Sequence, residues 1–364
     1  VCFYNALYTL PKILFFGPYS PPITGQSLAF KTIVDSYNHD QYFLVDTTRF
    51  GCRFFNTIYS IVASCLYLMV RGRSIRVVYF TCTRSVLGSI KDIFMLLVAG
   101  NLKKRVVNHL HGADFSHFYQ RSGILKILLK KAYQTIDTSI VLTKTMEKEF
   151  NHFPLMQKKV VANFYPMDFD KAELKKKKGI VVTYFSNLLK SKGIFEFLEA
   201  VKLVHQKRPD IRFKVAGKCM GDHLMSAHQM NQKVKYFLVN NQNLPLQYIG
   251  EIEPSARFTF LAQSHIFVLP TYYPTEGFPL SIIEAMRCGN VIIATKHNYL
   301  SDVVKSENGM LVNPNSPKEI KEAIFKYIDD KLLMKKTQDY NMQEAIERYS
   351  EVCHLKEVKR VIGV

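Results

Sequence analysis

The chain has 364 residues, 48% of them hydrophobic, which excludes a disordered protein and supplies enough apolar material for two cores. Lys and Arg number 49 against 30 Asp and Glu, and the resulting +19 calls for an anionic partner without choosing among nucleic acid, anionic lipid and a phosphorylated substrate. The seven cysteines are odd in number and form no C-x-x-C pair, so neither a disulfide framework nor a zinc ribbon is indicated and a reducing compartment is the simpler reading.

At the start, residues 1–10 lack the basic region of a cleavable signal peptide, and the missing initiator Met suggests a trimmed or truncated beginning. Short apolar runs at 12–16, 42–46, 76–80, 105–109 and 139–142 predict strands, and segments of helical period between them, including 86–99 and 124–133, predict helices. Residues 54–70 are largely apolar and flanked by Arg53, Arg71 and Arg73. They fall short of the ~20 residues of a membrane span and contain Asn56, Thr57, Ser60 and Ser64, which predicts a helix packed on a sheet, with contact with a bilayer as the open alternative. A second series of strands is predicted at 180–185, 212–217, 246–249, 266–269 and 291–294.

This alternation predicts an α/β chain of two doubly wound, Rossmann-like domains with parallel sheets covered on both faces. The change of domain is expected within 166–178, where Asp168-Phe-Asp170 leads into four lysines at 175–178 that read as a solvated linker. That gives a first domain over 1–168, a second over 169–340 and a C-terminal helix over 341–364, within a tail that looks charged and helical from Lys335. Asp168 and Asp170 have the D-x-D spacing of a metal site, but they lie in a linker and away from a strand end, so a metal role is rejected.

The most informative stretch is 270–286, Pro-Thr-Tyr-Tyr-Pro-Thr-Glu-Gly-Phe-Pro-Leu-Ser-Ile-Ile-Glu-Ala-Met. A buried strand ends at Pro270, Gly277-Phe-Pro279 makes a turn, and 280–287 reads as a helix with Pro279 near its first position. Glu276 then lies in the loop and Glu284 about one turn into the helix, with the unsatisfied N–H groups of the first turn between them. Such an N-terminus attracts phosphate, and the two carboxylates can accept hydrogen bonds from sugar or ribose hydroxyls. The stretch resembles the E-x7-E signature of the retaining family 4 glycosyltransferases, which have the GT-B fold and use nucleotide-sugar donors.

Further segments fit the resemblance, which also implies that the C-terminal helix over 341–364 crosses back to the first domain. Ser186-Asn-Leu-Leu-Lys-Ser-Lys-Gly193 joins a strand to a helix, placing Lys190 and Lys192 where open α/β sheets bind ligands. The family carries arginine and, five residues on, lysine against the donor diphosphate. Lys192 matches the lysine, while Asn187 stands where the arginine is expected, with Lys190 near enough to compensate. Residues 16–27 resemble the glycine-rich loop near the diphosphate, with Thr24-Gly25 in place of Gly-Gly; Gly25 would let backbone N–H groups approach phosphate. In His109-Leu-His-Gly112, His111 matches the histidine beside the donor sugar. His109 is expected on the opposite face as a core histidine, and the pair lacks a third metal ligand.

By the resemblance, Glu276, His111 and Lys192 carry the catalytic roles, Glu276 on the sugar hydroxyls. Glu284 would hold the ribose, and Gly25, Asn187, Lys190 and the backbone at Gly277, Phe278, Pro279, Leu280 and Ser281 would complete the donor site. The mechanism implied is front-face attack assisted by the leaving phosphate, with no metal and no cofactor. The implied partners are a UDP- or GDP-linked sugar and a saccharide acceptor, carried on a lipid diphosphate, in bacterial polysaccharide, O-antigen or capsule synthesis. The apolar-basic helix bearing Arg121, Lys126, Lys130 and Lys131 suits an anionic membrane surface, so the expected location is the cytoplasm, peripheral to the inner membrane face. Two alternatives stay open: a nucleotide-sugar epimerase of the same fold, and a basic nucleic-acid-binding protein without catalysis. The second lacks a recognisable module of basic and aromatic residues, and nucleic acid is not an expected partner. P-loop, G-x-G-x-x-G and nucleophile-elbow motifs are absent, which removes support for nucleotide hydrolysis and nicotinamide chemistry.

Overall fold

Strands and helices alternate along residues 12–21, 24–170 and 179–363, which are the residues the computed structural model describes. They divide into two units, Val1–Val161 with Leu355–Val364, and Ala162–His354. The lysine run at 175–178, residues 1–11 and Pro22-Ile23 lie outside the described residues.

The first unit runs β1 (Lys12–Gly17), α1 (Gly25–Asp35), β2 (Tyr42–Asp46), α2 (Arg53–Val70), β3 (Ile75–Thr81), α3 (Val86–Asn101), β4 (Arg105–His109), α4 (Phe115–Arg121), α5 (Leu125–Tyr133), β5 (Thr138–Val141) and β6 (Gln157–Val160). Its strands form a parallel sheet in the order β2-β1-β3-β4-β5-β6, with Phe15 in register between Leu44 and Tyr79. The step from β1 to β2 runs one way across this sheet and the steps from β2 through β5 run the other way. Right-handed crossovers therefore put α1 on one face and α2, α3 and α5 on the opposite face. Ile13, Phe15, Val77 and Tyr79 pack with Phe30 and Ile33 of α1, as the alternation of side chains along a strand requires.

The second unit runs β7 (Val181–Phe185), α6 (Ile194–His205), β8 (Arg212–Ala216), α7 (Ala227–Asn240), β9 (Leu246–Gly250), α8 (Arg257–Ala262), β10 (Ile266–Leu269), α9 (Leu280–Arg287), β11 (Val291–Thr295), α10 (Leu300–Val303), β12 (Gly309–Val312), α11 (Pro317–Asp329) and α12 (Lys331–Arg348). Its parallel sheet has the order β12-β11-β10-β7-β8-β9. The chain starts in the middle at β7, goes outward through β8 and β9, then returns to the other side of β7 through β10. Every position of β10 and β11 is buried, because helices cover both faces of a parallel sheet.

The last helix, α13 (Glu351–Ile362), begins in the second unit, and from Leu355 it belongs to the first. There Val358, Val361 and Ile362 join the α1 side of the core, and Arg105 donates to the carbonyls of Ile362 (2.5 Å) and Val361 (2.6 Å).

Several expectations change. Two of the four edge strands, β6 and β12, were not predicted: Gln-Lys-Lys-Val is polar and mostly exposed, and Gly-Met-Leu-Val is too short to stand out. The strand expected over 212–217 stops at Ala216, because Gly217 takes φ +141° and a Cβ there would lie 1.8 Å from the Ser186 carbonyl oxygen. The tail over 341–364 is two helices interrupted at Tyr349-Ser350, not one.

Candidate functional site

In the second unit the loops after β7 and β10 diverge from adjacent strands to opposite sides of the sheet, which opens a crevice at their carboxyl ends. Lys192 arrives there from the β7 side, at the end of a 3-10 turn over Lys190–Lys192, and Glu276 arrives from the β10 side. Their side chains form an ion pair, Lys192 Nζ donating to Glu276 Oε2, and both are largely buried. Thr271 Oγ1 donates to the same carboxylate oxygen at 3.1 Å, and the Lys192 ammonium lies 5.2 Å from the centre of the Tyr273 ring.

Backbone contacts set this meeting. The Tyr272 N–H donates to the Ser191 carbonyl (2.7 Å), tying one loop to the other. Gly193 turns the chain into α6 with φ +79°, and a Cβ at this position would lie 2.1 Å from the Pro270 carbonyl oxygen. Only glycine lets the Lys192 loop come this close. Asp222 holds the same loop from the β8 side, accepting from Ser191 Oγ (2.6 Å) and the Ser191 N–H (2.8 Å). Burial pushes the Asp222 carboxyl up, but these bonds and those from the Leu224 and Met225 N–H groups outweigh it and hold the group below its ordinary range. Under the Glu276 loop, Asn298 Nδ2 donates to the carbonyls of Pro274 (2.9 Å) and Glu276 (3.1 Å), and His297 Nε2 donates to Tyr273 (2.8 Å).

Gly277, Phe278 and Pro279 lead from Glu276 into α9, and Asn163 Nδ2 fixes this turn by donating to the Phe278 carbonyl at 2.9 Å. Pro279 is the N-cap of α9 and brings no side-chain acceptor, so no capping side chain covers the first-turn N–H groups at Leu280 and Ser281. Glu284, in the second turn, is fully buried and pairs with Arg257 Nη1 at 3.4 Å. Burial raises the Glu284 carboxyl above its ordinary value, and the Arg257 guanidinium opposes that rise.

The structure thus brings Lys192 and Glu276 into contact and leaves Glu284 to a different cation. Asn187 is exposed just beyond β7. Arg257, which no motif singled out, stands 5.9 Å from the Phe185 ring at the end of that strand. Its guanidinium is a fixed positive charge beside the end of the strand that Asn187 follows. Local pattern does not reveal this placement, because Arg257 follows a different strand 70 positions after Asn187. Asp170 of the rejected metal motif is engaged otherwise, accepting from Arg287 Nε (3.0 Å) and Tyr165 Oη (2.9 Å).

In the first unit Gly25 is the first residue of α1. Thr24 caps this helix, exchanging hydrogen bonds with Ser27 in a capping box (2.7 and 3.2 Å). His111 lies just past β4, and its ring is centred 4.1 Å from that of His109. The expectation that His109 faces away is therefore wrong: residues two apart on an extended chain share a face. The core role of His109 holds, since it is fully buried with Tyr79 Oη 2.6 Å from Nδ1. Beside His111, Gly112 passes so close to Arg84 that a Cβ would sit 2.4 Å from the guanidinium carbon, and Arg84 is paired with Asp114. This ion pair was not anticipated from sequence either.

Residues 167–347 match the family described as Glycosyl transferases group 1. An uncharacterized glycosyltransferase of Methanocaldococcus jannaschii is 24% identical over 281 residues, 69% of this chain and 68% of that protein. The capsular polysaccharide biosynthesis glycosyltransferase CapM of Staphylococcus aureus is 29% identical over 188 residues, 50% of this chain and 46% of that one. Among solved structures, Anabaena HepE in complex with UDP superposes with a TM-score of 0.73 at 16% identity, covering 97% of this chain and 99% of that chain.

Proposed function

We propose that this glycosyltransferase, of GT-B fold and with residues 167–347 matching the group 1 glycosyl transferases, moves a sugar from a nucleoside-diphosphate donor to a saccharide acceptor with retention of configuration. The observation that carries the reading is the buried Lys192–Glu276 pair at the switch point of the second sheet, beside a helix N-terminus that no side chain caps. A diphosphate at this edge would meet the Lys192 ammonium and the N–H groups of Leu280 and Ser281, with Arg257, Lys190 and Asn187 nearby. Its charge grows as the anomeric C–O bond breaks, which is where a preorganised cation lowers the barrier most. Glu276 would accept from sugar hydroxyls and Glu284 from the ribose, while His111 keeps the donor-sugar role that the resemblance implies.

The new bond forms from the acceptor oxygen to the anomeric carbon on the face the leaving group vacates, and the acceptor proton passes to the leaving phosphate oxygen. Positive charge comes from the chain itself, so the reaction is proposed to need no metal. A relative named for capsular polysaccharide synthesis and a neighbour solved with UDP favour a polysaccharide acceptor and a uridine nucleotide as the first candidates.

The test is thermal stabilisation by UDP-, GDP-, ADP- and dTDP-sugars, repeated on Glu284→Ala. One nucleotide class should raise the melting temperature of the wild type, and the substitution should abolish the rise. A folded wild type that responds to none of them sinks the donor-site reading. Conversion of the bound donor with no acceptor present would favour an epimerase instead.

A further inference from the structure

The helix α2 is built inside out. Its inward row is Thr57, Ser60, Ser64 and Leu68, three of them hydroxyl residues whose oxygens donate to carbonyls of their own helix at 2.6 to 3.2 Å. The outward row is Phe54, Phe55, Ile58, Val62, Leu66 and Met69, with exposures of 58% at Phe54, 60% at Val62 and 66% at Met69. At 3.6 residues per turn the two rows lie on roughly opposite sides, the reverse of a helix that covers a sheet with its apolar stripe. The sequence predicts a helix packed on a sheet without saying which side faces inward; the structure turns the small hydroxyl residues inward and leaves the large side chains outside.

The exposed row has neighbours. Helix α3 packs beside α2 and α5 beside α3, on the same face of the first sheet. They add Leu87 and Phe94 from α3 and Ile124, Ile127 and Leu128 from the α5 region, with Ile127 73% exposed. A patch spread over three helices exceeds the single exposed apolar residues that are normal on a soluble surface. Charge selects the occupant. Over residues 53–73, 86–104 and 121–134 there are ten Lys and Arg and one acid, Asp92, which is buried against Lys91. Arg53 and Arg71 stand at the ends of α2, where long basic side chains can reach past an apolar row. Next to Ile127, Lys126, Lys130, Tyr119 and His152 line a cleft of about 380 Å³.

We propose that the α2–α3–α5 face of the first unit docks flat on an anionic lipid bilayer, its apolar rows entering the acyl boundary and its basic rim meeting phosphate headgroups. The helix lies in the plane and does not span, because its inner row is packed on protein and both its ends return to strands of one sheet. A second copy of this chain fits the face poorly, since it would bring two acid-free basic rims together. The inference stands apart from the donor reading, and its test uses no nucleotide sugar.

The experiment is flotation of the full chain with vesicles of phosphatidylcholine alone and of phosphatidylcholine mixed with phosphatidylglycerol. Binding is expected to the mixed vesicles only and to weaken with added salt. The double variant Val62→Glu/Leu66→Glu, changed at exposed positions, should stay folded by circular dichroism and lose vesicle binding. Lys126→Glu/Lys130→Glu, away from α2, should weaken binding by roughly tenfold or more. Failure of the wild type to float with the mixed vesicles overturns the proposal. So does a lipid-free dimer that the first variant dissociates, or binding of inorganic phosphate with vesicle binding unaffected by the α2 charges.

Discussion

The ammonium of Lys192 is shared between the Glu276 carboxylate and the face of Tyr273, and it is held there by loops that a glycine lets meet. Two substitutions separate binding from chemistry at this point. Lys192→Ala removes a charge-assisted contact of about 2 kcal/mol and should weaken nucleoside-diphosphate affinity by tens of fold, read by calorimetry. Glu276→Gln keeps the shape and should leave that affinity nearly unchanged while the transfer rate falls about a hundredfold. Equal loss of affinity in both variants would show that Glu276 only positions the lysine. Gly193→Ala tests the loop itself. With φ +79° and a carbonyl oxygen 2.1 Å from the new methyl, it should cost about 3 kcal/mol in chemical denaturation and reduce donor binding, while Gly51, whose Cβ would meet nothing, should tolerate alanine.

Among the elements, α12 shows why apolar periodicity is an incomplete guide. Its buried positions are Met334, Thr337, Asn341, Glu344 and Ala345, a mostly polar row at helical spacing. Asn341 donates to the carbonyls of Asn290 (2.7 Å) and Asn308 (2.8 Å), and the Asn308 amide donates back to Asn341 (2.8 Å) and to Glu344 (2.6 Å). The helix is docked at the starts of β11 and β12 by these hydrogen bonds, two of them to the carbonyls of Asn290 and Asn308. Asn341→Leu is expected to destabilise the second unit by about 3 kcal/mol despite adding apolar volume; a stability equal to wild type in urea unfolding would show that packing, not this network, holds α12. The same lesson applies to α2, where hydroxyl residues face inward.

For the whole molecule, the second unit ends at His354, which stacks on Phe164 and donates from Nδ1 to the Ala162 carbonyl at 2.8 Å. Burial drives its pKa down to about 4. Unfolded, the imidazole takes its proton near pH 6.5, so between those values the unfolded chain binds more protons and stability falls as the pH falls. The full contribution is present above about pH 6.5 and roughly 3 kcal/mol of it is lost on descending through pH 4. Urea unfolding across that range should show this slope in the wild type and a flatter one in His354→Gln; parallel slopes would mean that the buried imidazole is not the titrating group.

Much of this architecture is written in local pattern. Apolar runs separated by helical periods define ten of the strands, because a parallel sheet covered on both faces demands continuous β-branched and aromatic residues. The span from Glu276 to Glu284, with a proline at the helix start, places one carboxylate in the loop and the other in the helix by chain geometry alone. Tertiary structure decided what depends on residues distant in sequence. It put Lys192 on Glu276 across 84 positions, brought Arg257 to Glu284, turned the hydroxyl side of α2 inward and carried the end of α13 back to the first unit. None of these leaves a periodic trace, because a contact between two strand ends is fixed by the order of strands in the sheet, and that order is settled only when the whole sheet closes.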